Sequence, residues 1–380
     1  MLSPLGRGAT QDRINREKEM HSQMTYFLRD ILRQPKELRW TLEHLTGAGA
    51  QAIASAVDAT RKVKHVFLTG IGSSWHAALN VAPMFQEAGR PVYLVESSEL
   101  LEFGTFPTGS AVIVISRSGR SVEIVRLAEK AKRAGAAVMG ITNAPEGTLA
   151  KEAEFPIVVP IALDHAISVN TYSTLAAAAG VLAKTVIGGF GAEDASEVAN
   201  AIDEAGRAIP RWQKQIAESK WFAPGRTTYF LARGSSLGTA QEARLLWEEG
   251  VKAPATAMGT GVFRHGPQEI VREGMRFGIW LDAARMREQD LATARDLQKL
   301  GASVMLIGQG IPADAANLVF ELPKIAGEWQ FLVDCMPAQL AAEQLARLSG
   351  EDSDTFRLCS FVVEDEAGLL GGAAGAGAKS

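Results

Sequence analysis

HVFLTGIGSS, from His65 to Ser74, and TTYFLARGSS, from Thr227 to Ser236, are two copies of one pattern. Each copy is an apolar run that ends in Gly-Ser-Ser, and a helix-forming stretch follows it. This arrangement predicts a buried parallel strand that turns into the N-terminus of a helix. The free backbone N–H groups of such a turn, together with its hydroxyls, are suited to binding an anion.

The repetition continues beyond these turns. The stretch from Gly135 to Ile141 recurs as Gly301 to Ile307, and the stretch from Phe155 to Pro160 recurs as Leu318 to Pro323. Because apolar strands alternate with charged helical stretches in each half, we predict an α/β protein with two tandem, doubly wound parallel-sheet domains of the flavodoxin-like type. The predicted segments are a helical region over 1–50, a first domain over 51–205, a second domain with a closing C-terminal segment over 206–364, and a disordered tail over 365–380.

Composition narrows the possible functions. The formal net charge is −4 and charges of both signs are interspersed, which argues against nucleic-acid and anionic-membrane partners. Cys335 and Cys359 are the only cysteines and the six histidines are scattered, so we expect no disulfide framework, no metal site and no cofactor. The polar N-terminus is unlike a secretory signal, and no stretch has the character of a transmembrane segment. We therefore predict a cytoplasmic protein.

A second polar loop follows another apolar strand of the first half. Residues Ala111 to Ile115 precede SRSGRS, from Ser116 to Ser121, and a helical pattern comes next. Three hydroxyls and a glycine at a helix N-terminus predict a phosphate cradle, although a single serine there would be read as a helix cap. The corresponding strand end of the second half, Phe277 to Asp282, lacks the serines. We therefore predict that only the first half binds phosphate.

Four motifs together resemble those of the sugar isomerase (SIS) family. Within it, the sequence is most similar to the isomerase part of glucosamine-6-phosphate synthases and to amino-sugar-phosphate deaminases and isomerases. The motifs are Ile31-x-x-Gln34-Pro35-x-x-Leu38, Gly72-Ser73-Ser74-Trp75-His76, the loop from Ser116 to Ser121, and Arg264-His265-Gly266-Pro267. The resemblance extends over roughly residues 24 to 364.

The resemblance implies a set of substrate contacts. Serines of the two turns hold the 6-phosphate of a hexose in this family, and residues after the last strand of the first domain touch sugar hydroxyls. Arg117 and Arg120 replace a glutamine and a glutamate of the synthases, and His76 is interpreted as a packing residue. The predicted substrate-binding residues are Gly72, Ser73, Ser74, Ser116, Arg117, Ser118, Ser121, Ser168, Thr171 and Glu242.

The resemblance also implies two catalytic residues, Glu249 and His265. Glu249 lies sixteen residues before His265. In the synthases, a glutamate sixteen residues before the His-Gly-Pro histidine moves a proton between carbons 1 and 2 of the open-chain sugar. A partly buried carboxylate is suited to that step, and a histidine is suited to ring opening. The loop that carries the histidine crosses a dimer interface in similar proteins. A homodimer with shared active sites is therefore expected.

Departures from the synthases shape the functional prediction. Leu246 and Phe361 stand where the synthases have lysines, Val262 stands where they have a glutamate, and the chain has no counterpart of their glutaminase domain. We predict an amino-sugar-6-phosphate isomerase/deaminase that releases ammonia and has no glutaminase activity. A fructosamine-6-phosphate deglycase is the alternative enzyme. A sugar-phosphate-binding regulator is the alternative of another class, although no basic helix-turn-helix pattern precedes the first strand.

Overall fold

The computed structural model describes residues 24–223 and 225–363. These residues form an α/β structure with two five-stranded parallel sheets. The elements in chain order are α1 (Tyr26–Thr46), α2 (Ala50–Lys62), β1 (His65–Thr69), α3 (Ser73–Glu87), β2 (Tyr93–Leu94), α4 (Ser97–Phe103), β3 (Ser110–Ile115), α5 (Val122–Arg133), β4 (Ala137–Thr142), α6 (Thr148–Glu152), β5 (Phe155–Val158), α7 (Asn170–Val186), α8 (Ala192–Glu218), β6 (Thr228–Ala232), α9 (Ser236–Leu246), β7 (Ala255–Gly259), α10 (Thr260–Phe263), β8 (Arg276–Trp280), α11 (Arg287–Lys299), β9 (Ser303–Gly308), β10 (Leu318–Glu321) and α12 (Phe331–Ser349).

The two sheets have the same strand order, which confirms the predicted α/β class. The order is β2-β1-β3-β4-β5 in the first sheet and β7-β6-β8-β9-β10 in the second. Leu68 pairs with Ile113 across β1 and β3, and Phe230 pairs with Gly278 across β6 and β8. The central strands are buried along nearly their whole length, as expected for parallel strands covered on both faces. The repeat in the sequence is thus a repeat in topology.

The two halves meet along α3 and α9, the helices that follow the two Gly-Ser-Ser turns. Their backbones come very close at Gly238, where an added Cβ would lie 2.2 Å from the carbonyl oxygen of His76 and 2.0 Å from Oδ1 of Asn80. Nearby, Nδ2 of Asn80 donates a hydrogen bond of 2.7 Å to the hydroxyl of Tyr172. This close contact brings each helix next to the other half of the molecule.

Helix α8 connects the halves and packs against α1 and α12. The predicted domain boundary between residues 205 and 206 falls inside this continuous helix. The predicted disordered tail over 365–380, like residues 1–23, lies outside the described residues. Within residues 24–223 and 225–363, no helix combines the length and the apolar character that crossing a membrane requires.

Candidate active site

A cavity of about 240 Å³ opens at the carboxyl edge of the first sheet. The turn after β1 and the loop after β3 form one wall, and the end of the connection from β5 to α7 adds Ser168. The second half supplies a side of the cavity, and a C-terminal segment over 356–363 that is neither helix nor strand covers it. The lining residues are Ile71, Gly72, Ser73, Ser74, Ser116, Arg117, Ser118, Ser121, Glu123, Ser168, Leu245, Glu249, Phe356, Cys359, Ser360, Phe361, Val362 and Val363.

The loop after β3 is held in shape by its own serines. Ser116 Oγ accepts the N–H of Gly119 at 3.1 Å, and Ser118 Oγ accepts the N–H of Arg120 at 3.2 Å. Gly119 has φ of 60°, a left-handed conformation that favours glycine. Ser121 occupies the N-cap position of α5, but its side chain makes no capping hydrogen bond. Its hydroxyl therefore remains free for a ligand rather than serving as a helix cap.

Glu249 lies on a short π-helical segment, Trp247–Val251, that extends α9. Such segments are frequent at functional sites because the extra residue per turn redirects side chains. Glu249 lines the cavity, whereas the neighbouring Glu248 is exposed and pairs with Arg244 at 2.5 Å. The structure thus distinguishes two adjacent glutamates, one directed at the cavity and one at solvent.

The pKa of the Glu249 carboxyl is raised from 4.5 to about 7. Burial is the main cause, and the nearby Glu242 adds to it, while Arg117 and Lys252 act in the opposite direction. Burial disfavours the charged form of a carboxyl group, and a like charge disfavours it further. A carboxyl group with a pKa near neutrality is suited to both accepting and returning a proton.

Glu242 is buried beside the cavity and does not line it. Its carboxylate accepts a hydrogen bond of 3.0 Å from Ser73 Oγ and is bonded to Nδ1 of His76 at 2.7 Å. Both partners lie at the start of α3, so Glu242 ties the helix of the second half to the serine turn of the first. His76 is buried and bonded to Glu242, which agrees with its interpretation as a packing residue.

Ser168 and Thr171, both predicted to contact the sugar, have different environments. Ser168 lines the cavity, but Thr171 is fully buried and donates its hydroxyl to Asp164 Oδ2 at 2.7 Å. Asp164 also accepts the N–H groups of Val169, Asn170 and Thr171. Its carboxylate therefore fixes the start of α7, a role that the sequence analysis missed because one aspartate in a loop carries no pattern.

His265 is exposed and does not line the cavity of its own chain. It lies in the turn between α10 and the short 3₁₀ helix Pro267–Ile270. The structure therefore brings Gly72, the serines and Arg117 together with Glu249. It leaves Thr171, Glu242 and His265 outside the walls of this cavity.

A second cavity, of about 340 Å³, lies at the equivalent edge of the second sheet. In the loop after β8, Asp282 Oδ1 accepts the N–H groups of Ala284 and Arg285, each at 3.1 Å. Ser236 Oγ donates to Asp334 at 2.6 Å. A carboxylate of the protein thus occupies the backbone donors that would otherwise face an anion, in keeping with a phosphate site in the first half alone.

Glu87 lines this second cavity and follows Ser74 at the same interval at which Glu249 follows Ser236. Each of these glutamates lies at the sheet edge of the other half. Glu87 makes a two-fold ion pair with Arg285, with distances of 2.8 and 2.7 Å. The carboxylate of the second cavity is thus neutralised, while Glu249 faces an open space.

The geometry defines a class of protein, an α/β protein with a serine-lined cavity at the carboxyl edge of a parallel sheet. The family model of the SIS domain matches residues 60–183, which confirms the resemblance that the motifs predicted. Among curated proteins, the chain is 24% identical over 352 residues to a glutamine–fructose-6-phosphate aminotransferase (isomerizing) of Pyrobaculum aerophilum, with 90% of this chain and 58% of that protein covered. The corresponding protein of Pyrococcus horikoshii is 25% identical over 338 residues, with 87% and 56% covered. The chain thus spans less than two thirds of the length of these relatives.

Solved structures share the fold. The C-terminal domain of glucosamine-fructose-6-phosphate aminotransferase from Francisella tularensis has a TM-score of 0.77 and 20% identity, covering 87% of this chain and 98% of that one. Glucosamine-6-phosphate deaminase from Thermotoga maritima has a TM-score of 0.74 and 21% identity, covering 89% and 99%. Tagatose-6-phosphate ketose/aldose isomerase from Escherichia coli has a TM-score of 0.76 and 20% identity, covering 87% and 95%.

Proposed function

We propose that this protein isomerises an amino-sugar 6-phosphate and releases its nitrogen as ammonia. The observation that carries the proposal is that Glu249, with a pKa near 7, shares one cavity with both serine turns. The turns hold the phosphate, and the carboxylate lies where it can reach the other end of the open-chain sugar. The names of the similar proteins, which include an aminotransferase, a deaminase and an isomerase of sugar phosphates, support a sugar phosphate as the substrate.

In the proposed reaction, Glu249 takes the proton from carbon 2 of the open-chain aldose amine. The C–H electron pair forms a double bond between carbons 1 and 2, and the aldehyde oxygen becomes an enolate. Glu249 then returns a proton to carbon 1 while the nitrogen lone pair forms a carbon–nitrogen double bond at carbon 2. The oxygen on carbon 1 takes a proton from this nitrogen, which leaves a hydroxyl group and a neutral imine. Water hydrolyses this imine to a ketose 6-phosphate and ammonia, so no redox change is needed.

The test is an assay of the purified protein with three substrates. Glucosamine 6-phosphate and galactosamine 6-phosphate are expected to yield ammonia and a ketose 6-phosphate without added metal or nucleotide. The third substrate is fructoselysine 6-phosphate. If it yields lysine while the other two yield no ammonia, the protein is a deglycase and not a deaminase. Tight binding of all three without turnover would replace the enzyme by a regulator.

The rate is expected to depend on pH through Glu249. Because the base must be deprotonated and its pKa is raised to about 7, kcat/KM should fall by about tenfold per unit as the pH drops below 7. The measurement is the pH profile of kcat/KM for the preferred substrate. An acidic limb with a midpoint near 4.5, the ordinary value for a glutamate, would contradict the environment described for this carboxyl group.

Ser118→Ala is expected to weaken binding of the sugar phosphate by about tenfold or more. A hydrogen bond to a charged group contributes roughly 1.5–3 kcal/mol, and about 1.4 kcal/mol corresponds to a factor of ten. Ser236→Ala, the control in the second half, should change binding much less because the hydroxyl of Ser236 is bound to Asp334. Calorimetric titration measures both, and equal losses of affinity would mean that the two halves do not differ in this way.

We further propose that the protein acts as a homodimer in which His265 reaches the cavity of the neighbouring subunit, because His265 is exposed and lies away from its own cavity. Equal amounts of Glu249→Gln and His265→Asn protein should then regain roughly a quarter of wild-type activity after subunit exchange, since half the dimers are hybrids with one intact site. Activity of the mixture measures this. A monomer in light scattering, or no recovery after proven exchange, would contradict the shared site.

A further inference from the structure

Arg117 is the only cationic side chain among the described residues that line the first cavity. It follows Ser116 in the loop that is proposed to hold phosphate, so a phosphate contact is the obvious role for it. Its position in the cavity indicates a different role.

The guanidinium of Arg117 makes its hydrogen bonds to residues other than the serines of the two turns. Nη1 donates to Ser168 Oγ at 3.3 Å, and Nη2 donates to the carbonyl oxygen of Phe361. Its Cζ lies 3.9 Å from the centroid of the Phe361 ring, a cation–π contact. Ser168 lies just before α7 and Phe361 lies in the C-terminal segment that covers the cavity, so neither partner belongs to the two serine turns.

The charge of Arg117 is matched by nearby acidic groups. Burial lowers the pKa of Arg117, and the carboxylates of Asp164 and Glu249 act in the opposite direction by favouring its charged form. Asp164 is already saturated by the backbone N–H groups at the start of α7. Arginine has five N–H donors, and only two of its donor nitrogens have partners among the described residues. A half-paired guanidinium near the proposed base is therefore available to a ligand oxygen.

We propose that Arg117 is the electrophilic catalytic residue of the site, and that its guanidinium binds the carbonyl oxygen on carbon 1 of the open-chain substrate. This inference rests on the proposed function and adds a residue to it. When Glu249 takes the proton from carbon 2, the electron pair moves to the oxygen on carbon 1, and Arg117 stabilises the negative charge there. When the proton returns to carbon 1, that oxygen takes a proton from the iminium nitrogen, becomes a hydroxyl and binds Arg117 more weakly.

The physical argument is that a cation fixed in the cavity wall stabilises charge that develops in the transition state more than it stabilises the neutral carbonyl. An arginine is suited to this position because it stays protonated beside a general base that must give up its own proton. A lysine in its place would share protons with that base more readily.

The experiment compares two ligands that need no turnover. Inorganic phosphate probes the serine turns, and the hydroxamate of a five-carbon aldonic acid 5-phosphate mimics the phosphate together with the planar, anionic enolate. Arg117→Gln is expected to weaken binding of the hydroxamate about a hundredfold and that of inorganic phosphate by less than about threefold. Arg133→Gln, the same change at an exposed arginine at the end of α5, should alter neither affinity.

Kinetics supply a second measurement. Arg117→Gln should lower kcat about a hundredfold, and Arg117→Lys should recover part of that loss because it restores the charge. If Arg117→Gln is poorly folded by circular dichroism, the comparison is made with Arg117→Lys, for which the loss should again fall on the hydroxamate and not on phosphate. Equal losses for both ligands would make Arg117 a phosphate contact, and no loss for either would make it a structural residue; each overturns the proposal.

The two proposals fail in different ways. In one case, the wild-type protein releases no ammonia from any amino-sugar phosphate, but it binds the hydroxamate far more tightly than phosphate and this preference depends on Arg117. The deaminase activity is then wrong, and the electrophilic role of Arg117 is supported. If ammonia is released normally and Arg117→Gln keeps both turnover and hydroxamate binding, the electrophile is wrong and the deaminase stands.

Discussion

Glu249→Gln is expected to lower turnover about a hundredfold or more while the sugar phosphate still binds with nearly unchanged affinity. The amide has the size of the carboxyl group and cannot take a proton from carbon 2. The serine turns, which are proposed to supply most of the binding, lie in the other half of the molecule and keep their own hydrogen bonds. Turnover and exchange of the carbon 2 proton with deuterated solvent are the two measurements.

Glu248→Gln is the matched control for that substitution. Glu248 is exposed and bonded to Arg244, so its loss removes a surface ion pair, which typically contributes less than about 1 kcal/mol. Turnover should stay close to that of the wild type. A Glu249→Gln protein with normal turnover and normal deuterium exchange would show that the proton is moved by another group.

Gly238→Ala is expected to destabilise the protein and to inactivate it. The added methyl group would lie 2.2 Å from the carbonyl oxygen of His76 and 2.0 Å from Oδ1 of Asn80, so α3 and α9 must separate. Overpacking of this kind typically costs about 1–3 kcal/mol of the free energy of unfolding. Because α9 leads directly into the segment that carries Glu249, the separation also displaces the proposed base from the serine turns.

Denaturant unfolding and turnover test this expectation, with Gly327→Ala as the control. Gly327 is exposed, has an ordinary backbone conformation, and offers open space where a Cβ would be added. The free energy of unfolding and the activity of the Gly327→Ala protein should both remain near those of the wild type. A Gly238→Ala protein as stable as Gly327→Ala would mean that the helices adjust at little cost.

Much of the fold could be predicted from the sequence because the strands repeat. Apolar runs that end in Gly-Ser-Ser or in the serine-rich loop fix both the strand and the edge at which it ends. The choice of Glu249 over Glu248 came from the spacing to His265, and the structure adds that one side chain faces the cavity and the other faces solvent. These signals are local or regular, which is why a sequence can carry them.

The remaining features depend on contacts between distant residues. Glu242 and Glu249 were both assigned to the site, but the π-helical segment changes the turn between them and only Glu249 lines the cavity. Asp164 acts by folding back onto the start of α7, a position that no period indicates. The cover formed by Phe361 and its neighbours comes from the far end of the described chain. The spacing of residues along the sequence contains no information on contacts between such distant segments.

The exchange of Glu87 and Glu249 between the two sheet edges has an evolutionary consequence. A half-length ancestor with this arrangement would have completed a cavity only by pairing with a second copy, which would have given two identical cavities. Duplication and fusion into one chain allow the two cavities to be selected separately. One cavity now has its serines and a glutamate whose pKa is raised to about 7. In the other cavity, the equivalent glutamate forms an ion pair with Arg285, so the same position has a proposed catalytic role in one half and a structural contact in the other.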